Sequence, residues 1–307
     1  MEWIPNFLKS FIAFAILLIP LLSIVIPVAI IKKRRQRFKN PLAHNMRRPA
    51  GTEVGRRLAY ERDEIDAPLV FLVTVTPCLI SSYFIMIYLL GMPNTMTVKV
   101  GLFCVWLWVM IYCSRDIVRR ANRIYYLRLG YECELAVGQE LDQLMLLGYQ
   151  VFHDIPAGKF NIDHVVIGPT GVYAIETKGR SKRSDSELKK AAYKVRYDGQ
   201  ALHFPNHSET QPIEQAIRQA NWVSDWLSKA TAINVKAQPV LVLPGWWIDY
   251  PKNAYVAVLA GKKVEKYFQS RPSILQKDDI QRLAYQVDQK VRDLAPGEIL
   301  KPDGLDR

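Results

Sequence analysis

At 307 residues the chain is longer than one ordinary domain, and its apolar residues are unevenly spread. Half of all residues are hydrophobic, with the long apolar runs in the first third, and the formal charge of +12 points to polyanionic partners, nucleic acid or anionic lipid. The four cysteines, Cys78, Cys104, Cys113 and Cys133, show no ligand spacing, which argues against a disulfide scaffold and against a zinc site.

Residues 11–31 carry no charge, and about 20 apolar residues suffice to cross the hydrocarbon core. Pro20 and Pro27 kink such a helix without abolishing it. A cleaved signal peptide would have basic residues before the run and a small-residue cleavage site after it. Instead Lys32, Lys33, Arg34, Arg35, Arg37 and Lys39 follow at once, which places the far end of the helix in the cytoplasm and the N-terminus outside. Residues 32–67 read as a basic cytoplasmic segment, with lipid headgroups ahead of nucleic acid as its expected partner. Residues 69–90 form a second uncharged span, 91–95 an external turn, and 98–113 a short third span in which Lys99 snorkels to the interface. Arg115, Arg119, Arg120 and Arg123 then return the chain to the cytoplasm. The expectation is a multi-pass protein of the cell (inner) membrane. It divides into residues 1–31, a basic segment 32–67, a membrane hairpin 68–129, a soluble domain 130–265, and a closing helix and tail 266–307.

In the soluble part, residues 131–147 read as a helix with Val137, Leu141, Leu144 and Met145 as one buried stripe and Gly148 as its cap. Glu140 lies beside that stripe. A strand over 149–155 and a hairpin over 161–179 follow, then a polar segment rich in Lys and Arg from Lys178 to Arg196. Residues 212–230 form the next helix, 238–243 and 255–259 two strands, and 274–291 an amphipathic closing helix, with a loose tail from Pro296. The order α-β-β-β-α-β-β-α describes a mixed sheet with helices on its faces.

The stretch 161–179, NIDHVVIGPTGVYAIETKG, organises the rest. Two apolar runs flank Gly168-Pro169-Thr170-Gly171, a turn by composition. If those four residues are the loop, Ile167 pairs with Val172, and counting outward sets Asp163 opposite Glu176. Directly opposed residues share a face, and the period of two returns Lys178 to it. Two carboxylates held this close repel unless a cation joins them, and Mg²⁺ takes such oxygen ligands. The bland alternative is a surface hairpin with an ordinary Glu–Lys pattern.

Asp163 followed by Glu176-x-Lys178 across a hairpin resembles the PD-(D/E)xK nuclease core, and the longer wording is similar to the nuclease-related domain, NERD. The resemblance covers about residues 130–265. It implies an α/β restriction-endonuclease-like core, here preceded by three transmembrane helices, and hydrolysis of phosphodiester bonds in nucleic acid, DNA foremost. It implies Mg²⁺ or Mn²⁺ between Asp163 and Glu176, with the Thr177 carbonyl as an extra ligand and Lys178 positioning or deprotonating the attacking water. It further implies that Glu140, within Gly138-Gln139-Glu140, adds a third carboxylate at the metal, and that Gln215, within Pro212-Ile213-Glu214-Gln215, stands near the site. His164, on the opposite face of the strand from Asp163, is expected to pack. The alternative is a catalytically inactive nuclease-fold module that binds nucleic acid or a protein partner at the membrane.

Overall fold

Two β-rich runs joined by Gly168-Pro169-Thr170-Gly171 do form a hairpin, and it makes the middle of the larger sheet. The computed structural model describes residues 44–89, 95–182, 193–249 and 254–294, with positions 26, 27, 30, 31, 33, 34, 91, 93 and 251 besides. Most of the first expected membrane helix, the lysines Lys189 and Lys190, and the tail from Pro296 lie outside the described residues. The chain divides into two units, residues 1–42 with 61–124 and residues 43–60 with 125–307.

In the first unit, among the described residues, two helices are long and apolar enough to cross a membrane, and the first of the three expected spans lies almost wholly outside those residues. One is α1 (Thr52–Phe84), continued by a π-helical turn at Ile85–Leu89; the other is α2 (Met96–Asp142). They touch through Val75, Val109 and Cys113, with Leu72, Leu79 and Met110 around them. The Trp106 indole N–H donates to Thr76 Oγ1 at 3.0 Å, which explains a tryptophan inside an apolar run. The outward face is bare and apolar, with Val73 and Trp108 74% and 66% exposed. Arg120 and Arg123 both reach the carboxylate of Glu61, and Arg120 also pairs with Asp116 at 2.9 Å.

The second unit holds a five-stranded mixed sheet. Its strands are β1 (Gln150–Pro156), β2 (Asn161–Gly168), β3 (Gly171–Thr177), β7 (Gln238–Val242) and β9 (Ala257–Leu259), in that spatial order. The first two pairings are antiparallel, and β3–β7 and β7–β9 are parallel. The C-terminal part of α2 covers one face, where Val137, Leu141 and Leu144 meet Val166, Tyr173 and Ile175. On the other face, α3 (Gln211–Thr231) and α5 (Lys277–Val291) bring Ala220, Val223, Leu227, Leu283 and Val287 against Val165, Ile167, Val172 and Ala174. Met145, expected in the buried stripe, is exposed. After Asp142 the chain tightens to a 3₁₀ turn, Gln143–Leu147, and the change from about 100° to about 120° per residue swings Met145 outward. Gly148 ends that turn in the left-handed region at φ 84°, as the cap position requires.

A second sheet was not legible in the sequence. It has the order β6-β5-β4-β8, from β4 (Lys194–Tyr197), β5 (Leu202–His203), β6 (Ser208–Glu209) and β8 (Trp247–Asp249). Strands of two to four residues are too short to display a period of two. Val195, Tyr197 and Leu202 pack beneath it against Ile213, Ala216 and Leu241. A short helix, α4 (Val264–Gln269), follows β9.

The segment read as lipid-facing is in part built into this unit. Met46 bridges Leu294, Arg47 pairs with Asp288, and Arg48 holds Asp293 through two bonds of 2.7 Å. Arg48 also reaches the buried Asp154 at 3.3 Å, and Asp154 accepts the Glu53 N–H at 3.1 Å at the start of α1. Asp154 has φ 51° and breaks the β1–β2 ladder between His153↔His164 and Ile155↔Ile162. Asp tolerates that left-handed conformation because its short polar chain bonds locally, here also to Asn161. Arg47 and Arg48 are thus paired with Asp154, Asp288 and Asp293 within the domain. Replacing Arg48 with Ala strands a buried carboxylate, and the expected loss is about 3 kcal/mol in chemical denaturation of the domain. A loss under about 0.5 kcal/mol would show the clamp to be incidental.

Candidate active site

The pairing of β2 with β3 runs from Gly168↔Gly171 through Ile167↔Val172 to His164↔Ile175, the register that counting from the turn anticipates. The next step outward carries Asp163 and Glu176. Both share the parity of Val165, Ile167, Val172 and Ala174, so they face α3. Asp163 Oδ2 accepts the Thr177 N–H at 2.7 Å. The Lys178 ammonium is ion-paired with Glu176 Oε1, on the face that the period of two assigns it. Asp163, Glu176 and Lys178 are therefore brought together.

Glu140 and Gln215 are not part of this group. Glu140 is exposed on α2. Its place is taken by Glu134, which is buried and close enough to Glu176 and Lys178 to feel both charges. Both glutamates flank the Val137–Leu141 stripe, at about 60° to either side of it. Position along the axis separates them, because six residues of helix are about 9 Å. The site lies at the C-terminal end of β3, and Gly179 there lets the chain run close under α2. A Cβ on Gly179 would stand 3.0 Å from Cys133 Sγ and 3.2 Å from the Leu129 carbonyl oxygen. That contact sets the turn bearing Glu134 over Lys178. The sequence signal for Glu134 was only its i+3 and i+7 spacing to Val137 and Leu141, which puts it as near the stripe as Glu140.

Gln215 is half-buried one helical turn away, and Gln219 occupies the site instead. Gln219 Nε2 donates to Glu176 Oε2 at 2.5 Å and to the Asn161 carbonyl at 3.2 Å. The two glutamines stand at i and i+4 on α3, so periodicity gave both the same face, and only helix position favours the second.

Burial, then repulsion from Glu176 and Glu134, holds the Asp163 carboxyl well above its ordinary range. Glu134, which lies in the second unit beyond the apolar span of α2, is pushed up to about 8 by burial, then by the negative charges of Asp154 and Glu176. Among the described residues no three His, Cys, Asp or Glu side chains stand in the arrangement of an assembled metal site. The donor set nonetheless fits a hard cation. Two further buried oxygens, Thr177 Oγ1 and Gln219 Oε1, take no hydrogen bond from the described residues. Gln219 Oε1, an orphan acceptor beside mutually repelling carboxylates, adds to an environment that Mg²⁺ or Mn²⁺ and its water satisfy.

His164 faces away, as expected. It is fully buried on the α2 side, where its Nδ1 bonds His153 Nδ1 at 2.8 Å, and His153 Nε2 bonds Asp142 at 3.0 Å. Burial holds the His164 imidazole well below its usual pKa, hence neutral. The basic segment after β3 is more committed than its composition implied. Arg180 makes a two-pronged pair with Glu209 at 2.9 and 2.6 Å, Lys194 pairs with Asp249 at 2.8 Å, and Lys182 bonds the Gly245 carbonyl under the Tyr193 and Trp246 rings.

No curated protein and no solved structure matches the chain at a significant level. A family model does: residues 129–244 match the nuclease-related domain, NERD. That span contains Glu134, Asp163, Glu176, Lys178 and Gln219, so the similarity to the NERD family extends over every residue of the candidate site.

Proposed function

We propose that the chain is a membrane-attached, metal-dependent nuclease that hydrolyses phosphodiester bonds of nucleic acid, with DNA as the first substrate to test. One observation carries the reading: three carboxylates, the buried Glu134 and Glu176 and the half-buried Asp163, are gathered near a single ammonium, at a cost in repulsion that a purely structural site has no reason to bear. Asp163 and Glu176 would hold Mg²⁺ or Mn²⁺, with Glu134 behind them. When bound, such an ion polarises a phosphoryl oxygen and acidifies a water.

The chain's own groups do the positioning. The Thr177 N–H fixes the Asp163 carboxylate, and Gln219 fixes that of Glu176. Lys178, only partly exposed, can orient a water or neutralise charge developing on phosphate. The two long apolar helices and their bare faces support attachment to a bilayer, and the arginines that follow residue 114 favour the cytoplasmic side for the domain.

The direct test incubates the purified full chain with end-labelled DNA and RNA, with Mg²⁺ or with EDTA. Cleavage confined to the metal-containing samples is the expected result. Binding without cleavage would make the domain an inactive nuclease-fold module, and neither binding nor cleavage would end the reading.

A further inference from the structure

Away from the carboxylates, the second unit has a groove of roughly 320 Å³ between β8, β9 and α4. Its floor is apolar, formed by Ile248, Val258 and Leu259. At its mouth Trp247 is 63% exposed, and the Lys263 ammonium lies 4.9 Å from the centre of the indole. Lys266 and Tyr267 line the far side, with the Arg271 guanidinium 4.5 Å over the Tyr267 ring. Among the described residues no acidic side chain lines the groove. The nearest strand carboxylate, Asp249, is taken by Lys194.

We infer that this groove binds one unpaired nucleobase, stacked on Trp247, with Lys263 and Lys266 on the adjoining phosphates, and so selects single-stranded nucleic acid. The inference rests on the nuclease reading for its choice of ligand. Three features argue for it. An exposed indole beside ammonium groups offers a π-face and phosphate partners together, the pairing used for single strands. In a duplex the base faces are already stacked on their neighbours and cannot be offered to a side chain. The volume is at the small end for ligand sites, about 300–1,000 Å³, which suits one nucleotide and not a helix.

Placement agrees. β3, β7 and β9 run parallel, so the end of β9 beside the groove and the end of β3 beside Lys178 lie on one edge of the sheet. Two strand spacings separate them, about 10 Å, so one short stretch of strand reaches from the groove to the carboxylates. A base entering the groove displaces Lys263 from the ring face and frees its ammonium for the phosphate.

The test measures binding by fluorescence anisotropy, on the full chain in EDTA, with a labelled oligonucleotide of about a dozen residues, single-stranded or annealed to its complement. Trp247→Ala should weaken single-strand binding about tenfold and leave duplex binding within about twofold, while Trp247→Phe keeps most of the affinity. Lys263→Gln and Lys266→Gln should each reduce the salt dependence of single-strand binding by about 0.7 in slope. Unchanged single-strand affinity in Trp247→Ala, an equal loss on duplex, or a parent chain that binds neither form would overturn the groove. Because nothing is cut in EDTA, the two readings separate. A chain that never cleaves but shows the tenfold loss keeps the groove and refutes the nuclease. One that cleaves without that loss does the reverse.

Discussion

Asp163→Asn should reduce metal-dependent cleavage by on the order of 10³-fold or more, and should at the same time make the metal-free domain no less stable. The two effects have one origin. An asparagine keeps an oxygen for the Thr177 N–H, so the local hydrogen bond survives. What disappears is a negative charge that Glu176 and Glu134 repel. A residue held for structure would lose stability on substitution, whereas a residue held for chemistry loses activity while its surroundings relax. Glu176→Gln should be as inactive, but it also breaks the ion pair with Lys178 and is the less clean probe of stability. Glu134→Gln and Gln219→Ala act through other groups and should cost about 10–100-fold. Glu140→Gln and Gln215→Ala, on exposed or half-buried helix positions, should leave the rate within about twofold. Cleavage rates on one labelled substrate, with melting curves of each variant, decide the matter. Full activity in Asp163→Asn, or inactivation by Glu140→Gln with Glu134→Gln unaffected, would overturn the assignment.

How much of the fold and the site is legible in the sequence follows from the range of each interaction. The hairpin was legible because its turn, its register and its face are all fixed within 19 residues. A glycine-flanked turn sets the count, and the count sets which side chains meet. The glutamine was found to the right helix face, whereas the expected Glu140 and the observed Glu134 stand about 120° apart around α2. Periodicity gives an angle, and the height along the axis depends on how α2 and α3 slide over the sheet. That slide is set by long-range contacts, such as Gly179 against Cys133 and Gly138 against Ala50, where a Cβ would come within 2.7 Å of the neighbour. The small sheet and the Arg48 clamp join residues far apart in sequence, 245 positions in the case of Arg48 and Asp293, and leave no local trace. Composition misled most in the basic stretches. A count of Lys and Arg sees charge but not the partners that Glu209, Asp249, Asp154 and Asp288 supply at a distance.

The same carboxylates govern how stability responds to pH and metal. Glu134 has its pKa raised from the ordinary 4.5 to about 8, and Asp163 moves in the same direction. A raised folded-state pKa means that folding takes up protons. Its contribution is complete below the unfolded value and is lost as pH rises through the folded one. His164 is lowered, so its contribution is present above its ordinary 6.5 and lost on acidification. Between about pH 6.5 and 8 the acids therefore act alone, and metal-free stability should fall by about 1 kcal/mol per pH unit. A divalent cation binds the ionised form and so should stabilise more as pH rises. At a hundredfold excess over its Kd it contributes about 2.7 kcal/mol, and a domain of this size shifts by about 2–4 °C in Tm per kcal/mol. Mn²⁺ should thus raise the Tm by about 5–10 °C at pH 8 and by distinctly less at pH 6.5. Glu134→Gln should flatten the metal-free slope, because it removes the group whose proton is lost in that window. Melting curves at the two pH values, with Mn²⁺ or EDTA, measure both effects without any cleavage. A metal-free Tm that stays level from pH 6.5 to 8, or a Mn²⁺ shift of equal size at both, would mean that the three acids are not sharing protons and that Asp163 and Glu176 are not the cation's ligands.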